Sequence, residues 1–599
     1  MTRYDAIIVG SGFGGAVTAA KLTQAGARVL LLEQGHRWRT PQTASEKIER
    51  DGDAIVNKWN VNDPQTGFPM SPGDVDAWGN PNYVLQQNTD LKYILYRFPG
   101  SNNYSGGLFE DYDSQLNPFG SESRFFVTVG RGYGGGSLVY SMIHLRAPSE
   151  TFMAAENGGV IWPDAYDRTA LNPYYDRVEQ LFPIWQLSYD NNSSRQVSKR
   201  SSVVADAFAH AGISCDPIRL NLWGGRFAQD TEPFFMNPFG VPVHCCTGCG
   251  FCTFGCIFQA KGTLPTNYLA LAEQTGNLTV RTDARAWSVR PASAGYLVEW
   301  RDWRTGEMQS DLGSVAVISG GAIGSPELLL RSQMMGYLPD ISPHTGHHIS
   351  GNGDAAFGIF FNNLPAEFKA ELFKGSIMNL VSYDPWLNPP NGIRFILQDV
   401  STLPVGVSKF PVRRQQGGIE PRALDACNTD PNQGAQLYWG RYFKAFLKAH
   451  YAQDVLALAS IGLDAPDGRV QVDDQGEAHI SWTTPLVAGN RTFDLIQAAA
   501  QLVEQIAGAS PYNGERLWAQ TWDDLRRYTS VHPVGGCRMS DNGPTGFGGG
   551  VVDANGQVYN YPGLYVIDGS VMPGSVGVNP SHTIAAVAER MSDMLLNSF

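Results

Sequence analysis

The sequence predicts an α/β protein: a Rossmann-like dinucleotide-binding domain interleaved with a second domain built on an antiparallel sheet plus helices. Three observations carry this. A strand, a glycine turn, a helix and a second strand open the chain. Shorter strand–turn–helix segments recur around Phe125–Val129, Val315–Ser332 and Leu564–Leu596. The stretches between them read as paired strands and amphipathic helices with no nucleotide motif.

The opening unit is the most informative. Ala6–Val9 is a short apolar run fit for a buried parallel strand. Gly10-x-Gly12-x-Gly14-Gly15 follows, and Ala16–Ala25 reads as a helix. Gly10 permits a tight turn, Gly12 lets backbone approach a pyrophosphate, and Gly15 lets helix pack on strand. The helix N-terminus offers free N–H groups and partial positive charge to phosphate. A second apolar run, Val29–Leu32, ends at Glu33, whose carboxylate can accept both hydroxyls of a ribose lacking a 2′-phosphate.

Bulk properties narrow the function. At 599 residues the chain can bury a large core in two domains. A net charge of −13 argues against nucleic acid or an anionic membrane as partner. No apolar run approaches the ~20 residues of a transmembrane segment. The first strand begins too early to leave room for a signal peptide, so the expected location is cytoplasmic, with export to the periplasm beside a signal-bearing partner left open.

Along the chain, Gly35–Ser123 is loop-rich and too long for a simple connection, which predicts a lid. Phe125–Val129 reads as a strand running into Gly130-Arg-Gly132-Tyr-Gly-Gly135-Gly136-Ser137, backbone able to lie close to a flat ligand. Asn172–Phe182 reads as a helix capped by Asn172, with Pro173 at its first position, and Ser198–Ala211 as another. Asn267–Thr275 reads as a helix and Leu278–Thr282 as a strand. Gly351-Asn-Gly-Asp354 reads as a turn, Gly462–Trp482 as a hairpin, and Phe493–Ala507 and Thr583–Leu596 as helices.

Eight cysteines form no disulfide framework in so long a chain, but five fall within Cys245–Cys256. Cys246, Cys249, Cys252 and Cys256 have the C-x2-C-x2-C-x3-C spacing that wraps one loop around an iron–sulfur cluster, [3Fe–4S] or [4Fe–4S]. Ile257 stands where a ferredoxin has proline. Zinc and free thiols remain the alternative readings.

The glycine loop at Gly130–Ser137, Gly320-Gly-Ala-Ile-Gly-Ser-Pro326, His532-Pro-Val-Gly-Gly-Cys-Arg-Met539 and Met572-Pro-Gly-Ser-Val-Gly-Val-Asn579-Pro-Ser-His-Thr-Ile584 together resemble the glucose–methanol–choline oxidoreductases, FAD-dependent oxidases and dehydrogenases of alcohols. The C-terminal blocks are most similar to the cholesterol-oxidase-like branch. The resemblance implies FAD as cofactor, with His532 as the catalytic base and Asn579 orienting the substrate oxygen. It implies further cofactor contacts at Gly132, Gly135, Gly136, Ser137, Ala286, Asp568, Gly569, Asn579 and Thr583, beside Gly10, Gly12, Gly14, Gly15 and Glu33. His582 departs from the apolar residue usual there and is expected near the pocket. The implied domains are 1–50, 124–150, 245–335 and 526–599 for FAD, and 51–123, 151–244 and 336–525 for substrate and lid. The expected activity is oxidation of CH–OH to carbonyl on a bulky, sterol-like alcohol. Electrons would pass through the cluster to a cytochrome-like acceptor. An oxygen-using oxidase without a cluster, or a lyase keeping FAD structurally, are the alternatives.

Overall fold

The computed structural model describes residues 3–37, 96–97, 109–156, 159–190, 192–228, 234–248, 250, 252–253, 255–256, 258–366, 375–401, 455–519 and 527–597. Most of the expected lid, and Cys249, lie outside these residues.

The chain opens with β1 (Arg3–Val9), α1 (Phe13–Gln24) and β2 (Val29–Leu32), then β3 (Phe109–Asp113) and β4 (Arg124–Gly130). Helices α2 (Arg168–Leu181), α3 (Lys199–His210) and α4 (Tyr268–Gln274) precede β5 (Leu278–Arg281), β6 (Ala284–Ala292), β7 (Gly295–Asp302), β8 (Met308–Ile318) and α5 (Gly321–Met334). Next come β9 (Ala355–Phe361), β10 (Leu380–Ser382), β11 (Phe395–Val400), β12 (Val455–Gly462), β13 (Gly468–Val472) and β14 (Ala478–Trp482). The chain closes with α6 (Arg491–Ala509), β15 (Gly514–Ala519), β16 (Arg527–Ser530), β17 (Leu564–Val566) and α7 (Ser581–Leu596).

The main sheet runs β5-β2-β1-β8-β7-β6, and β17 pairs in parallel with the end of β8. Strands β5, β2, β1 and β8 are mutually parallel. Their continuous apolar runs fit burial on both faces: Ile7, Ile8, Leu30, Leu31 and Val317 are fully buried. Small residues on α1 let α7 lie against it, joined by Thr18 Oγ1–Ser592 Oγ (2.9 Å) and a Lys21–Glu589 ion pair (2.7 Å).

The second sheet is antiparallel, ordered β15-β9-β12-β11-β10, with α6 packed on it. A third sheet pairs β16 in parallel with β4, and β4 with β3. That parallel pair decides where the chemistry sits. The C-terminal ends of β4 and β16 emerge side by side, one leading into the glycine loop after Gly130 and the other into His532.

Helices α1, α6 and α7 begin a little before the sequence implied, at Phe13, Arg491 and Ser581, and α2 begins a full turn before. Asp167, not Asn172, caps α2 by accepting from Ala170 N (2.7 Å), and Pro173 lies inside the helix. The Asn172 side chain is taken by Arg168 Nε (3.0 Å) and Arg146 Nη1 (3.3 Å), which removes it as a cap. The hairpin is β13–β14, narrower than expected because Val455–Gly462 belongs to the second sheet.

Candidate active site

A long cleft runs across the C-terminal edge of the main sheet, where open α/β sheets place their ligands. Its cavity volume is about 260 Å³, near the lower end of the ~300–1,000 Å³ of an ordinary small-molecule pocket. Its walls carry Gly10, Gly12, Gly14, Glu33, Gly135, Gly136, Ala286, His532, Asp568, Gly569 and Asn579. The structure thus brings together most of the residues singled out in the sequence, although they come from five separate segments.

The glycines divide into two kinds. A Cβ on Gly10, Gly14 or Gly15 would stand 2.2, 1.7 or 1.9 Å from the carbonyl oxygen of Ser319, Ile567 or Gly10, so these three close the fold itself. A Cβ on Gly12, Gly136, Gly321 or Gly324 would meet no protein atom within 4 Å. Those four line the cleft and leave space that a flat ligand and its phosphates can fill. Helices α1, α5 and α7 each direct an N-terminus at this space, through Gly12–Phe13, Gly321 and Ser581. Each brings partial positive charge to the cleft wall.

Glu33 is buried at one end. Its Oε2 accepts from Ser11 N (3.0 Å) and Ser11 Oγ (2.6 Å), and its Oε1 from Gly35 N (2.7 Å). Burial raises its pKa while these donors hold it down. Of the roughly four acceptor sites of the carboxylate these donors take three, both on Oε2 and one on Oε1. Asp568 accepts from Gly321 N (2.7 Å), Ser325 Oγ (2.6 Å), Ser570 N (2.7 Å) and Ser570 Oγ (2.5 Å), tying the start of α5 to the loop after β17. Burial raises the Asp568 pKa as well.

At the other end stand His532 and Asn579. His532 follows β16, and its Nδ1 lies 2.7 Å from Asp354 Oδ1. Asn579 precedes α7, and its Oδ1 accepts from Gln398 Nε2 of β11 (2.8 Å). The sequence reading missed Asp354, Asn352 and Gln398. The run Gly351-Asn-Gly-Asp354 between buried apolar segments was the available signal for the first two. Gln398 gave none.

Four expected cofactor contacts lie off the cleft walls. Gly15 packs on Gly10. The Gly132 carbonyl faces Ser11 Oγ at 3.3 Å. Ser137 Oγ donates to Gly134 O (2.7 Å) and accepts from Leu264 N (3.1 Å). Thr583 Oγ1 pairs with Tyr175 OH (2.8 Å). The last two hydroxyls are spent within the fold. His582 also turns away from the cleft. It is fully buried between the rings of His144 (4.9 Å) and Tyr175 (4.8 Å), and burial, aided by Arg146, lowers its pKa to about 3.

The expected iron–sulfur ligand set is not found. Among the described residues no group of three or more His, Cys, Asp or Glu side chains could hold a metal ion, and Cys249 is not among them. Two of these sulfurs accept from nearby main chain. Gly248 N donates to Cys246 Sγ (3.4 Å) and Ala260 N to Cys256 Sγ (3.3 Å). Burial pushes the Cys252 thiol up to about 11.

A Rossmann-type cleft with a buried acid at one end and a histidine–asparagine pair at the other defines a dinucleotide-dependent oxidoreductase site. Family models agree. Two described as GMC oxidoreductase match residues 235–349 and 466–588, and an NAD(P)-binding Rossmann-like domain matches residues 8–50. Cholesterol oxidases of Acinetobacter baumannii and Mycobacterium tuberculosis are each 25% identical, over 98% and 99% of this chain and 93% and 91% of theirs. A 2-methyl-1,2-propanediol dehydrogenase of Mycolicibacterium austroafricanum is 23% identical, over 100% of this chain and 96% of its own. The crystal structure of a pyridoxine 4-oxidase from Mesorbium loti superposes with a TM-score of 0.60 at 17% identity, covering 99% of each chain, a likeness of fold. The chain is thus similar to the GMC oxidoreductases, and among them to cholesterol oxidases over nearly its whole length. Among the described residues no helix is long and apolar enough to cross a membrane.

Proposed function

We propose that this protein oxidises the CH–OH group of a bulky, sterol-like alcohol to a carbonyl with FAD held in the cleft. The observation that carries the reading is that His532 and Asn579 line the same cleft as Gly12, Gly136 and Glu33. FAD, when bound, supplies the hydride acceptor. Glu33 would hold its ribose, Gly12 and the α1 N-terminus its phosphates, and the α7 N-terminus would favour negative charge on the reduced ring. His532 takes the hydroxyl proton, a task suited to an imidazole. Asn579, with Oδ1 fixed by Gln398, offers its amide donor end to the substrate oxygen. Likeness to cholesterol oxidases over nearly the whole chain supports a bulky substrate.

For the final electron transfer we favour oxygen over an iron–sulfur route, because the described thiols do not converge. Iron and sulfide analysis of anaerobically purified protein, with peroxide measured in air, tests this. Stoichiometric iron without peroxide would restore the cluster reading. The activity itself is tested by anaerobic flavin bleaching with cholesterol and with 1-octanol. His532→Ala should keep FAD and slow bleaching about 10²–10⁴-fold. Failure of every CH–OH donor to bleach the wild-type flavin would favour a lyase.

A further inference from the structure

Asp354 does more than cap a turn. Its Oδ1 lies 2.7 Å from His532 Nδ1, and its Oδ2 accepts from Val531 N (2.9 Å), His532 N (3.1 Å) and Ser530 Oγ (3.1 Å). One carboxylate thus grips both the ring and the main chain that presents it. An ionised carboxylate only accepts, so Nδ1 must carry the hydrogen and Nε2 the lone pair.

The turn holding Asp354 is itself clamped. Asp464, buried at the end of β12, accepts from Ser350 Oγ (2.6 Å), Gly351 N (3.1 Å) and Tyr528 OH (3.0 Å). Tyr528 OH accepts in turn from Asp354 N (3.1 Å). Asn352 reaches the opposite way. Its Oδ1 accepts from Val576 N (2.8 Å) and Gly577 N (2.9 Å), and its Nδ2 donates to Val578 O (2.8 Å), immediately before Asn579.

We infer that Asp354 is a positioning residue for alcohol oxidation, fixing His532 with Nε2 as the basic nitrogen and stabilising its protonated form, and that the turn Ser350–Asp354 sets His532 and Asn579 relative to one another. This rests on His532 being the base. Asp354 faces the ring directly, while Asp464 and Tyr528 are the titratable groups that brace its turn from β12 and β16.

The test uses FAD-loaded enzyme, anaerobic stopped-flow flavin reduction with cholesterol or 1-octanol, and pH from 5 to 9. Asp354→Asn should slow the plateau rate by at least about 10-fold, while Asp354→Glu recovers part of it. A wild-type plateau in Asp354→Asn, with His532→Ala slow, would overturn this inference alone. A wild-type rate in His532→Ala would overturn the base assignment first. Should Asp354→Asn not retain FAD, ¹⁵N-histidine spectra of the wild-type enzyme decide. A neutral His532 protonated on Nδ1 supports the proposal and one protonated on Nε2 refutes it.

Discussion

Replacing His582 with leucine should flatten the acid sensitivity of this fold. His582 is fully buried on α7, and burial, then Arg146, lowers its pKa to about 3. Its neighbour His144 is driven well below the ordinary value by burial and by His582 itself. Glu179 lies 3.8 Å from His582 Nε2 but is already paired with Arg146 (2.8 Å) and Arg219 (2.9 Å). Above about pH 6.5 both rings are neutral in folded and unfolded chains, and their titration contributes nothing to pH dependence. As pH falls from there toward about 3, the unfolded chain takes up protons that the fold refuses, so stability is lost. Each such group removes about 1.36 kcal/mol per pH unit, so His582 accounts for about 2 kcal/mol between pH 6.5 and 5. His582→Leu keeps the volume, removes two ring nitrogens that meet no partner among the described residues, and should be as stable as wild type at pH 7.5. Unfolding midpoints in urea, measured from pH 5 to 8 on FAD-loaded protein, should show a pH slope reduced by about one proton's worth. A variant whose stability falls between pH 6.5 and 5 as steeply as wild type would refute the argument.

Other outcomes follow from the cleft. Glu33→Ala should retain FAD poorly, since charged-acceptor bonds worth about 1.5–3 kcal/mol each are lost; flavin content after gel filtration reads this, and full retention would remove Glu33 from the site. Gly12→Ala should fold normally but purify with less FAD, because its Cβ enters open cleft space, whereas Gly14→Ala should impair folding because its Cβ meets the Ile567 carbonyl at 1.7 Å. Equal expression and melting temperature for the two would contradict that division. Asn579→Ala should slow anaerobic reduction while leaving FAD bound, and unchanged kinetics with cholesterol or 1-octanol would exclude a role in orienting substrate.

How much of this was legible in the sequence depends on how local the physics is. The β1–α1–β2 unit encodes its turn, its helix and its acid within thirty-three residues, and strand, helix and Glu33 stand where the pattern put them. The boundary of α2 was misplaced because Asn172 is a competent cap whose side chain two arginines recruit, one of them distant in sequence. The cysteine run misled for a related reason. Spacing along a loop says which sulfurs could meet, but not where main-chain turns aim them, and the turns at Gly248 and Ala260 engage two of these sulfurs locally. Lys261, donating to Cys252 O (2.7 Å) and Leu138 O (2.7 Å), further fixes this loop against the segment after the glycine run.

The reacting pair shows the opposite limit. His532 and Asn579 belong to one C-terminal segment, and the sequence offers them as a pair, yet neither is held by the other in the fold. Each answers to the turn Ser350–Asp354, 178 residues before His532 and 224 residues before Val576. No periodicity or spacing links these positions. The link arises because β9 starts where that turn ends, β16 lies beside β4, and Asn352 of the turn holds the Val578 carbonyl before α7. A buried polar turn whose every donor finds an acceptor is costly to disturb, since each orphaned group loses about 1–3 kcal/mol. That cost is what lets two side chains keep fixed positions on loops rather than on regular elements. It also explains why Asn suits position 352. Its backbone takes φ 61°, a left-handed conformation that asparagine tolerates, while its amide both accepts and donates, which no aspartate or serine could do toward the same three partners.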